Sequence, residues 1–124
     1  MTNLITAKLS RVERDIAAEK GPLNLFAILE REDLTDRWDL VVSASWAKQD
    51  EPTLRYLSAT IKRHLTATEM TLLARVVVLD AADEPVKTIT ANYEVEHGQV
   101  ELDDPESFDL PARHGYIITS RRAA

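Results

Sequence analysis

Cysteine is absent from the 124 residues. That excludes disulfides, thiolate metal centres, iron–sulfur clusters and cysteine nucleophiles together. Glycine is scarce, at three in the whole chain, and no glycine-rich phosphate loop is present. No Gly-x-Ser-x-Gly elbow surrounds Ser43, Ser45, Ser58, Ser107 or Ser120. No two histidines have the i,i+4 spacing of a zinc protease helix, and Asp33, Asp36 and Asp39 do not complete a calcium loop. Apolar runs such as Val76-Val77-Val78-Leu79 are far too short to cross a bilayer. The opening Met1-Thr2-Asn3-Leu4-Ile5 lacks the basic and apolar regions of a secretory signal. A cytoplasmic location, with no membrane partner, is therefore the expectation.

Positive charge is in the minority. Lys and Arg total 15 against 21 Asp and Glu, a formal charge of −6. A nucleic-acid binder must neutralise phosphates, so this balance argues against that class of partner.

What is present suits one globular domain over residues 1–124. The hydrophobic fraction is 44% and the charged fraction 29%, neither of which fits a disordered chain. A chain of this length buries roughly two-thirds of its unfolded surface, enough for a core without staples. No linker or low-complexity tract divides it.

Ile5, Leu9, Val12 and Ile16 fall on one helical stripe, with Lys8, Arg11, Glu13, Arg14 and Asp15 mostly on the other faces. Gly21 and Pro22 stop that helix. A hairpin follows, from an apolar strand over Leu23 to Arg31 into a second strand that alternates from Trp38 to Trp46. Asp50-Glu51-Pro52 opens a second helix, with Leu54, Leu57, Ile61 and Leu65 as its apolar stripe. Its Arg55, Lys62 and Arg63 give a basic surface that suits an anion, against the simpler reading of a solvated face. Met70 to Leu79 reads as a strand. Asp83-Glu84-Pro85 then repeats the earlier tripeptide and suggests a short helix through Val86, Ile89 and Tyr93, although Thr88, Ile89 and Thr90 suit a strand nearly as well. Val95 to Leu102 and Tyr116 to Thr119 read as strands, with residues 121–124 as a frayed tail.

This order gives an α+β chain: a two-layer sandwich of a largely antiparallel sheet, with two main amphipathic helices covering one face. Phe26, Ile28 and Val41 are then left on the other face, where a second copy would complete the burial. The leading functional expectation is a non-enzymatic protein-interaction module, homodimeric, with a further protein partner open. No cofactor is implied. The competing expectation is a small metal-binding protein or enzyme. His97 lies beside Glu94 and Glu96, and His114 approaches the last strand. Should His97 and His114 meet, imidazole and carboxylate together can hold a divalent ion or move protons. His97, His114, Glu94 and Glu96 are the candidate catalytic residues, His97 and His114 the candidate metal ligands, and whether the chain is an enzyme stays open at this point.

Overall fold

The computed structural model describes residues 3–33, 36–102, 104–108 and 112–122. The elements run α1 (Asn3–Lys20), β1 (Leu25–Arg31), β2 (Trp38–Ser43), α2 (Glu51–Lys62), α3 (Ala67–Met70), β3 (Leu73–Val78), α4 (Glu84–Asn92), β4 (Val100–Leu102), a 3-10 turn (Pro105–Phe108) and β5 (Ala112–Ser120). Over the described residues the chain is α+β, with four α-helices and one mixed sheet of five strands in the order β3-β2-β1-β5-β4.

Local chemistry explains most boundaries. Gly21 takes φ 100° just after α1, a backbone region open mainly to glycine, and its N–H donates to the Ala17 carbonyl at 3.0 Å. Asp50 caps α2 by accepting from the Thr53 N–H at 3.0 Å, with Pro52 in the first turn. Thr66 and Glu69 form a reciprocal capping box on α3. Both oxygens of Glu69 also accept from Lys8 Nζ, at 2.8 and 2.9 Å, which ties α3 to α1. Beside that ammonium the Glu69 carboxyl is held below its usual range.

The sheet differs from the expected antiparallel hairpin series at one place. β1 pairs antiparallel with β2 and β5, and β4 antiparallel with β5, but β2 and β3 are parallel. The chain between them carries α2, a crossover long enough to return the strand in the same direction. The strand expected from Met70 begins only at Leu73, because Ala67–Met70 closes a capped helical turn first. The strand from Trp38 ends at Ser43, so Trp46 lies in the following loop, edge-on to Tyr56 at 6.0 Å.

Two apolar clusters occupy the two faces. The larger joins Ile5, Leu9, Val12 and Ile16 of α1 and Leu57 and Ile61 of α2 to Phe26, Ile28, Trp38, Leu40 and Val42. The smaller joins Val86 and Ile89 of α4 to Leu25, Ala27, Val41, Leu102 and Ile117. Alternate residues of one strand project to opposite faces, so the two sets separate cleanly. Two expectations change. Phe26 and Ile28 belong under α1 and α2, because Phe26 stands opposite Val42 and Ile28 opposite Leu40. The second face also carries a helix, α4, where the expected sandwich had helices on one face only. At the chain end the Arg121 N–H donates to the Asn24 carbonyl at 2.8 Å, and residues 123 and 124 of the expected tail lie outside those described.

Leu57 and Ile61 are both fully buried. Leu57→Ala should lower stability by about 2–5 kcal/mol, through lost transfer energy and the cavity left behind. Urea unfolding checks this, and a midpoint equal to wild type would contradict the placement.

Candidate functional site

The two histidines are engaged separately. His97 sits between α4 and β4 with φ 51°, a left-handed conformation uncommon outside glycine. Its main chain is held on three sides. The His97 N–H donates to Thr119 Oγ1 at 3.2 Å, while its carbonyl accepts from Ser10 Oγ at 3.5 Å and Arg14 Nη2 at 3.4 Å. The ring then meets Glu13 through Nδ1. Glu13 is wholly buried in the middle of α1, and its second oxygen, Oε2, has no hydrogen-bond partner. Glu13 is therefore the exception among the charged residues expected mostly on the other faces of that helix. The residue occupies an inward position because a loop from the other end of the chain supplies its imidazole. Glu96 Oε1 lies 3.7 Å from His97 Nε2, and Glu94 is exposed.

His114 belongs to the opposite end of β5. Its ring stacks on Tyr116 at 5.0 Å and lies 6.1 Å from the Trp38 ring, with Nε2 2.7 Å from Glu101 Oε1. Thr119, which holds His97, is five residues further along the strand, about 16 Å at ordinary strand rise. The structure thus gives each imidazole its own carboxylate and does not bring His97 and His114 into one site. Among the described residues no group of three or more His, Asp or Glu side chains is arranged to hold a metal ion.

The basic surface of α2 is largely matched by acids. Arg55 pairs with Glu51 on its own helix, Arg63 reaches Glu19 of α1 at 3.3 Å, and His64 meets Asp15 at 2.6 Å. Lys62 is exposed.

A different feature stands out at the edge of the sheet, which sequence reasoning did not single out. β3 is the outermost strand on its side and offers Leu-Ala-Arg-Val-Val-Val, six residues, whereas the opposite edge strand β4 has three. Its inner side pairs with β2. On its outer side the Val78 N–H is taken by Gln49 Oε1 at 2.6 Å. Backbone groups alternate along a strand, so Val76 directs its N–H and carbonyl outward as Val78 does.

Grooves flank this edge on both faces. One, of about 300 Å³, is lined by Leu54, Ile61, Met70, Leu73 and Val76. The other, of about 210 Å³, lies beside α4 and is lined by Leu29, Val41, Val77, Leu79, Pro85 and Ile89. Arg31 and Arg75 stand at its rim around Asp39, with Arg75 Nε 3.1 Å and Arg31 Nη1 3.9 Å from that carboxylate. Arg31 is also bound by Asp33 at 2.9 Å, which lowers the Asp33 carboxyl below its ordinary range. Only the tertiary pairing makes β3 an edge, so its sequence gave no signal.

Comparison with known proteins returned no matching family model, no matching curated protein and no matching solved structure. No helix among the described residues is long and apolar enough to cross a membrane.

Proposed function

We propose that the chain is a cytoplasmic, non-enzymatic interaction module that pairs with a second copy along β3. The observation that carries this reading is the open edge of β3 set between two apolar grooves. A strand added to an exposed edge gains main-chain hydrogen bonds, and its alternate side chains enter the spaces above and below the sheet. β3 has apolar side chains on both faces, so a second β3 supplies the alternation that the two grooves accept. Natural edge strands are usually shortened, charged or covered to prevent such pairing. β3 has Arg75 and the Gln49 cap at its end, and between them Val76 and Val77 carry no charge.

The partner surface in this reading is the edge, not the sheet face inferred from the apolar pattern. Helix α4 occupies that face through Val86 and Ile89, which removes the reason for placing a second copy there. A twofold pair is the commonest closed assembly.

Sedimentation at increasing micromolar concentration tests the proposal. The expected mass rises from that of one 14.0 kDa chain toward two. Val76→Pro removes an outward N–H at an edge position where proline is tolerated, and Ala74→Lys adds charge at an exposed site. Both variants should stay monomeric with unchanged circular dichroism. A wild-type mass fixed at one chain across the range refutes the proposal, as does a dimer that both variants leave intact.

A further inference from the structure

The repeated Asp-Glu-Pro tripeptide finds its place at one end of the parallel pair. β2 leads into a loop and then Asp50-Glu51-Pro52 at the start of α2, which packs on one face of the sheet. β3 leads into a loop and then Asp83-Glu84-Pro85 at the start of α4, which packs on the other. Adjacent parallel strands whose connections leave to opposite faces open a crevice beyond their carboxyl ends, the usual ligand position in open sheets with parallel strands. A crevice of about 530 Å³ lies there, between Ala44-Ser45 and Lys48 after β2 and Asp80-Ala81 after β3.

The crevice wall is completed by residues from the far end of the chain. Arg121 and Arg122 continue β5 past Ser120 and line it beside Asn24. Their backbone is tied down: the Arg121 N–H donates to the Asn24 carbonyl at 2.8 Å, and Asn24 Nδ2 donates back to the Arg121 carbonyl at 3.4 Å. Arg122 Nη2 donates to the Ala91 carbonyl near the end of α4 at 3.2 Å. No carboxylate among the described residues lies within ion-pair distance of Lys48, Arg121 or Arg122, although the Asp50 carboxyl, held low first by its hydrogen bonds from Thr53, is also lowered by the nearby Lys48 ammonium. The one acid in the wall, Asp80, is engaged locally, with Oδ1 accepting from the Ala82 N–H at 2.8 Å. Three cationic residues thus line one crevice in a chain whose net charge is −6.

We propose that this crevice binds a small phosphorylated molecule, with Lys48, Arg121 and Arg122 holding the phosphate and Ser45 and Asn24 supplying neutral polar contacts. Arginine suits phosphate because its planar fork donates two parallel hydrogen bonds, and lysine adds a point charge. A second cleft, lined by Thr90, Asn92, Tyr93 and Glu94 as well as both arginines, adjoins the first. It leaves room for the organic part of a phosphomonoester beyond its phosphate.

The experiment titrates the full chain with inorganic phosphate and, separately, with adenosine monophosphate, at constant ionic strength, following backbone amide shifts. Saturable shifts at Ser45, Lys48, Ala81 and Arg121 are expected. Tighter binding of the nucleotide assigns the neighbouring cleft to the organic part, and equal binding assigns recognition to the phosphate alone. Lys48→Ala and Arg121→Ala should each weaken binding by roughly tenfold or more, with unfolding midpoints unchanged. Arg55→Ala, whose cation is paired elsewhere, should leave affinity intact. Shifts that never saturate with either probe overturn the proposal. So does saturable binding that the Lys48 and Arg121 variants do not weaken.

Discussion

Replacing His97 with alanine should lower stability by about 1–3 kcal/mol, the cost of leaving a buried polar group without its hydrogen-bond partner. The size follows from the asymmetry of the Glu13–His97 contact. Glu13 is wholly buried and His97 is about one-third exposed. Losing Glu13 leaves an imidazole that water can reach. Losing His97 leaves a carboxylate with no partner inside the protein, since its other oxygen already has none. Alanine at φ 51° keeps the left-handed strain of about 1–2 kcal/mol that His97 already carries, so the loss comes from the missing ring. Glu13→Leu alone should cost less than His97→Ala. The double variant Glu13→Leu/His97→Gly should recover much of the loss, because it removes the unpartnered polar group and the strained side chain together. Guanidinium unfolding of the four proteins checks the order. A His97→Ala loss below that of Glu13→Leu would show that the carboxylate finds water or another donor.

Phe26→Ala carries the other large effect, a loss of about 3–5 kcal/mol by the usual scale for burying a phenylalanine. Phe26 is fully buried beneath α1 and α2, opposite Val42 on one side and Thr119 on the other. The same substitution separates two pictures of the molecule. On an uncovered sheet face, its removal would weaken association and leave the monomer nearly as stable. Under two helices, it lowers the unfolding free energy of the monomer itself. Denaturant unfolding of a monomeric background such as Val76→Pro distinguishes these outcomes, and a loss within error of zero there would contradict the packing.

Several features were legible in the residues themselves. The stripes Ile5-Leu9-Val12-Ile16 and Leu57-Ile61 lie buried on the helices where period 3.6 places them, because helical amphipathicity is a local property. Gly21 after α1, Asp50 at α2 and the second Asp-Glu-Pro at α4 mark real boundaries, since caps and turns act over a few residues. Chain composition and the missing motifs were equally direct.

What only the tertiary structure decided is everything that depends on which segments meet. Period two tells that Val41 and Leu40 face opposite ways, but not which face receives α1 and α2. A shift of one residue in register reverses the answer, so Phe26 and Ile28 were read onto the wrong side. Glu13 looks like a surface acid until a loop more than eighty residues away brings His97 to it. β3 reads simply as a strand by sequence and becomes an edge because strand order is set by long-range pairing. Lys48, Arg121 and Arg122 are ordinary surface cations along the chain. They share a wall only because a parallel β2–β3 pair sends its helices to opposite faces, and β5 ends beside the opening. Local chemistry therefore determined the helices and their caps, whereas long-range pairing decided the faces, the edge and the crevice.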